Sequence, residues 1–121
     1  MKIKKMKLIG AAMIGLVVIG ITAPVVYAKT TATLSASVVG QQCAGGNGVN
    51  VTLTATLQPN VRNVRFEWDF NNDGIFDTAP STNPTATNLY PDEVAVTARV
   101  RATKGTHSAE ATVTFQTQRC P

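Results

Sequence analysis

Histidine is almost missing from this chain of 121 residues: His107 is the only one. Cysteine is nearly as scarce, with Cys43 and Cys120 alone. Three such residues fall short of a four-ligand zinc site. The lone histidine lies in a stretch that reads as a hairpin loop, where an imidazole is ordinarily just solvated. None of the serines stands in a Gly-x-Ser-x-Gly setting, which excludes the nucleophile elbow of hydrolases. Charged residues make up only 15% of the chain and aromatics 6%, with one tryptophan. Beyond residue 28 no segment keeps a 3.6-residue apolar period, so helical bundles and alternating α/β folds are excluded. There is no internal repeat and no low-complexity tract. With no acid–base pair or activated nucleophile in view, the chain does not read as an enzyme.

What is present begins at the N-terminus. Lys2, Lys4, Lys5 and Lys7 precede a run from Leu8 to Val26 that is apolar apart from Thr22 and a few glycines. Val26-Tyr27-Ala28 then offers small or branched residues at the −3 and −1 positions of a cleavage site. These features read as a secretory signal peptide over 1–28, helical in its apolar part, followed by one domain over 29–121. The apolar run approaches membrane-spanning length. The rival reading is therefore an uncleaved anchor over 8–26 that holds the same domain on the cell surface. Pro24 and the Val-Tyr-Ala site favour cleavage and secretion.

The formal charge of +4 comes from the leader. After Ala28, Lys29, Arg62, Arg65, Arg99, Arg101, Lys104 and Arg119 face Glu67, Asp69, Asp73, Asp77, Asp92, Glu93 and Glu110. Seven against seven gives no basic footprint, so nucleic acid is not an expected partner. A domain of this size has a modest core and is helped by a staple. In an exported chain two cysteines read first as one disulfide, Cys43 to Cys120.

Alternation of apolar and polar residues marks strands over 32–38, 49–57, 64–70 and 94–102, and again over 109–115, with a shorter one over 85–90. Gly40 to Gly48 reads as a loop, and Lys104-Gly105 as a hairpin signal. Turn signals recur about every ten residues, as in an all-β antiparallel sandwich with one wet side per sheet. The expected core is Val51, Leu53, Phe66, Trp68, Val96, Val100, Val113 and Phe115.

One stretch concentrates oxygen side chains. Asp69, Asn71, Asp73 and Asp77 stand at positions 1, 3, 5 and 9 of a calcium-loop pattern, with Gly74 at position 6 and the Ile75 carbonyl at position 7. The twelfth position is Pro80, where such loops carry a bidentate Glu. Two readings stand side by side. Either Asp69, Asn71, Asp73, Ile75 and Asp77 hold calcium weakly, or the Asp and Asn side chains bond their own backbone in a solvated turn. Using Asp73 and Asp77 as the carboxylate pair of a carbohydrate-active enzyme, or of a domain accessory to one, is a further alternative. The turn offers no cleft-forming elements to support it.

Phe66-Glu67-Trp68-Asp69-Phe70-Asn71-Asn72-Asp73-Gly74 resembles the aromatic-x-Trp-Asp-Phe-Gly-Asp-Gly signature of PKD (polycystic-kidney-disease-type) domains. Asn83-Pro84-Thr85 and Pro91-Asp92-Glu93-Val94-Ala95-Val96 are similar to that family's Asn-Pro-Thr and Pro-Gly-x-Tyr-x-Val stretches. The chain departs from the pattern in its longer acidic loop, in Asp92 for glycine and in Val94 for an aromatic. The resemblance covers roughly residues 32–117. It implies an immunoglobulin-like extracellular module, a spacer or an interaction domain, without catalysis. The partner expected for this chain is an extracellular protein or a surface polymer.

Overall fold

The computed structural model describes residues 23–27, 30–46 and 48–121. Seven strands run in order: β1 (Ala23–Tyr27), β2 (Thr30–Cys43), β3 (Gly48–Gln58), β4 (Arg65–Asp69), β5 (Thr85–Pro91), β6 (Ala95–Lys104) and β7 (His107–Gln116). One antiparallel sheet has β2-β3-β5 with β1 added at the β2 edge, and the other is β4-β6-β7. The described residues contain no helix.

The sheets form because each strand carries one apolar face. Along β3, Val49, Val51, Leu53, Ala55 and Leu57 are buried, while Asn50, Thr56 and Gln58 are exposed. On the opposing sheet Phe66, Trp68, Ala98, Val100, Ala111 and Val113 meet them. Trp68 is 1% exposed and is the bulkiest of the fully buried side chains. Of the expected core, Val96 and Phe115 are only partly buried and pack against the rest. Removing that much apolar surface from water, at about 25 cal/mol per Å², is what drives the two layers together.

The outer faces differ in kind. No residue of β2, β3 or β5 is charged; every charged strand residue lies on β4, β6 or β7. On the uncharged sheet hydroxyls pair across strands, Thr52 with Thr87 at 3.1 Å and Thr54 with Thr85 at 3.2 Å.

Two elements differ from the sequence expectation. The Gly40–Gly48 stretch is largely strand: the register shifts between Val38 and Gly40, and β2 then continues paired, Gly40 to Thr52 through Cys43 to Val49. A bulge absorbs the extra residue, so the alternation breaks while the strand goes on. Only 44–47 connects the two strands. The expected signal helix falls mostly outside the described residues. Its end, Ala23–Tyr27, is extended and pairs with β2, Ala23 against Leu34 and Tyr27 against Thr30. Val25, Val26 and Tyr27 are β-formers, and Pro24 suits a sheet edge. The β6–β7 hairpin is as expected, closing Lys104 on His107, with Gly105 at φ 60° supplying the left-handed first turn position.

Cys43 and Cys120 are joined, with their Cα atoms 5.7 Å apart. The bond ties the end of β2 to the tail beyond β7 and suits an oxidising compartment.

Candidate functional site

The acidic stretch leaves the end of β4 and folds over the outer face of the charged sheet. Asp69, the last residue of β4, has no exposed side-chain surface. It sits opposite Arg99 in the β4–β6 register. Arg99 Nη2 and Nε donate to Asp69 Oδ2 at 3.1 and 3.3 Å, and Arg99 Nη1 donates to Glu110 Oε1 at 2.9 Å. One strand step away, Arg101 pairs with Glu67 at 3.0 Å. Phe76 lies over both guanidinium groups, 4.4 Å from each. The arrangement is a ladder of ion pairs across three strands, with an aromatic ring laid on its two cations.

The loop carboxylates turn to their own backbone. Asp73 N–H donates to Asp69 Oδ1 at 3.1 Å and Gly74 N–H to Asp69 Oδ2 at 2.9 Å. Ile75 N–H donates to Asp73 Oδ1 at 2.9 Å, and Phe70 N–H to Asp77 Oδ2 at 2.8 Å. Asn72 and Gly74 take positive φ, 55° and 94°, which lets the chain double back tightly enough for these bonds. From the other sheet, Tyr90 donates its hydroxyl to Phe70 O at 2.7 Å and packs edge-on against Phe115. Burial pushes the Asp69 carboxyl up, but the Gly74 and Asp73 N–H groups and Arg99 more than reverse this, so it titrates below its usual value. Burial pushes the Tyr90 hydroxyl up to about 12, helped by the nearby Asp77 and Asp69 charges.

Of the residues read as calcium ligands, the structure brings three together at the mouth of the turn. With its nitrogen turned inward, the Asn71 amide donates to Asp69 Oδ1 at 3.0 Å and to the two Asp73 oxygens at 3.2 and 3.3 Å. That orientation follows from the neighbours, since amide nitrogen and oxygen are told apart by their partners. The Asp77 carboxylate is engaged separately, accepting from Phe70 N–H. Among the described residues no group of three His, Cys, Asp or Glu side chains is placed to hold a metal. The sequence reading missed Arg99 and Arg101 as partners of the loop. Their alternation on the wet face of β6 opposite Glu67 and Asp69 was the available signal, and it becomes a pairing only once the β4–β6 register is known.

The chain matches no protein-family model, no curated protein and no solved structure.

Proposed function

We propose that the chain is a secreted, non-catalytic, PKD-like module that acts by surface contact with an extracellular protein or polymer, its acidic loop serving as a fastener of the fold. The observation that carries this is the commitment of Asp69 to two backbone N–H groups and Arg99. A carboxylate so saturated has no lone pair free to take a proton from a substrate. The Cys43–Cys120 bond supports an address outside the cytoplasm, and the sandwich around Trp68 supports the PKD-like reading. The test has two parts. Mass spectrometry of the exported protein should find a chain beginning at Lys29; a chain retaining the apolar run would replace secretion by anchoring. The labelled domain should then bind intact cells of its source saturably, displaced by unlabelled domain. Absence of saturable binding overturns the contact reading.

A second reading is favoured by Asn71. A half-turn of its amide would put a fourth oxygen beside the Asp69 and Asp73 oxygens, an arrangement that a calcium ion stabilises and an empty loop does not. Arg99 already neutralises Asp69, so the affinity expected is weak, roughly 10⁻⁴–10⁻³ M. At ten times its dissociation constant calcium should add about 1.4 kcal/mol and raise the melting temperature by several degrees. Asp73→Ala should abolish the rise and Asp92→Ala should leave it. A calorimetric titration to millimolar calcium with no heat above dilution leaves the loop a hydrogen-bonded turn.

A further inference from the structure

The outer edges of the sandwich are not treated alike. The β4 edge is capped by the 77–81 segment: Phe66 and Ser81 exchange backbone bonds at 2.7 and 3.1 Å, Asp77 N–H donates to Trp68 O, and Trp68 N–H donates to Thr78 Oγ1. The β7 end is met by Gln41, whose side chain bonds Gln116 O and accepts from Gln118 N–H. One edge of the uncharged sheet is β1, with Pro24, lying on β2. Removal of 1–28 uncovers β2 there, but its register is broken by the bulge between Val38 and Gly40. The β5 edge is different. It carries no charge and no internal proline, and its register with β3 runs without a bulge from Gly48–Pro91 to Thr54–Thr85. Those are the devices by which exposed edges are normally blunted. Leu89, 58% exposed, stands on this strand.

The pairing parity says which groups face out. Ala55 N–H donates to Pro84 O at 3.0 Å, so with the β3–β5 register Ala86, Asn88 and Tyr90 turn their backbone groups toward β3. Thr85, Thr87 and Leu89 turn theirs outward. Two of these outward groups are capped locally: Thr85 N–H by Asn83 Oδ1 at 3.0 Å, and Leu89 O by Asn88 Nδ2 at 3.3 Å. Thr87 N–H, Thr87 O, Leu89 N–H and Thr85 O remain.

We propose that this edge is where two copies of the chain pair, β5 against β5, antiparallel about Thr87. That register sets Thr87 opposite Thr87 and Leu89 opposite Thr85 of the second copy. Each Thr87 N–H then meets the other Thr87 O, and each Leu89 N–H meets the other Thr85 O. The groups left uncapped are thus the ones that satisfy each other, while the locally capped ones are not needed. Thr85, Thr87 and Leu89 share a face, so each Leu89 side chain gains a cross-strand neighbour in the other copy's Thr85. Asp92 and Glu93 fall opposite Thr82 and Ser81, so like charges do not meet. The uncharged sheet becomes continuous across both copies. Edge pairing buries less than a standard interface, so the association is weak and concentration-dependent.

The test uses the exported protein with its disulfide intact. Sedimentation between about 10 µM and about 1 mM should show the mass rising from one copy toward two, in the range of weak interfaces. Over the same range the Thr87 and Leu89 amides should slow in hydrogen exchange by about tenfold or more, while Ala86 and Asn88 stay slow throughout. Thr87→Lys places like charges opposite each other and should hold the chain monomeric while keeping it folded, its melting temperature lowered only by the lost hydroxyl contact with Thr52. Thr87→Pro, which removes the outward N–H together with the hydroxyl contact to Thr52, should also hold the chain monomeric. A monomer at every concentration overturns the proposal. So does a dimer that survives both substitutions, or protection of Thr87 and Leu89 that is independent of concentration.

Discussion

Asp69 has no exposed surface yet titrates below an ordinary carboxyl. Burial alone would do the opposite; the Gly74 and Asp73 N–H groups and Arg99 decide the sign. A group whose folded value is lowered adds stability that is fully present above the unfolded value, about 3.9, and lost as the pH falls through the lower folded one. Stability should therefore decline below about pH 4. Asp69→Asn should remove part of that acid sensitivity and cost about 1.5–3 kcal/mol at pH 7, the range for hydrogen bonds to a charged group. Arg99→Met should cost more, about 3–5 kcal/mol, because it strands a buried charge. Urea unfolding of the three proteins at pH 7 and pH 3 checks both. Tyr90 works at the other end of the scale: with its hydroxyl raised to about 12, the stability it protects is present below its unfolded value near 10 and lost between about pH 10 and 12.

The acidic loop is an element in its own right, clamped from three sides: by β4 and β6 through Asp69 and Arg99, by Tyr90 from the opposite sheet, and by Phe76 on the two arginines. Phe76→Leu keeps the apolar bulk and loses the ring face, at about 0.5–2 kcal/mol for cation–π contact. It should also speed amide exchange across residues 71–79 without changing that of β3. Both are read from one exchange experiment on the two proteins. The strands themselves were legible in the sequence wherever the alternation is clean, as in Val49–Leu57 and Val96–Ala102. The Gly40–Cys43 continuation of β2 was not, because a bulge shifts the phase at Val39 and glycine carries no face to read. The loop's oxygen side chains were also legible, but their partners were not. Arg99 lies thirty residues from Asp69, and only the register of two strands makes them neighbours.

At the scale of the whole molecule the Cys43–Cys120 bond closes a loop across a sequence separation of 77. Replacing both cysteines with serine should cost about 2–5 kcal/mol, measured by denaturant unfolding, and the unreduced, unfolded wild-type chain should offer no thiol to an alkylating reagent. The bridge also dictates how the molecule bears tension. A pull between Thr30 and Pro121 crosses directly from Cys43 to Cys120, leaving residues 44–119 outside the line of load. Of the strands only the 14 residues of β2 lie in that line, and a strand is already near its full length at about 3.3 Å per residue. Stretching the oxidised molecule therefore yields almost no extension, even if β2 shears away from β3. Reduction would release the 77-residue span, roughly 270 Å of slack at about 3.5 Å per residue. Held at both ends, the same chain is a stiff link while the bond is closed and a long, loose tether once it opens.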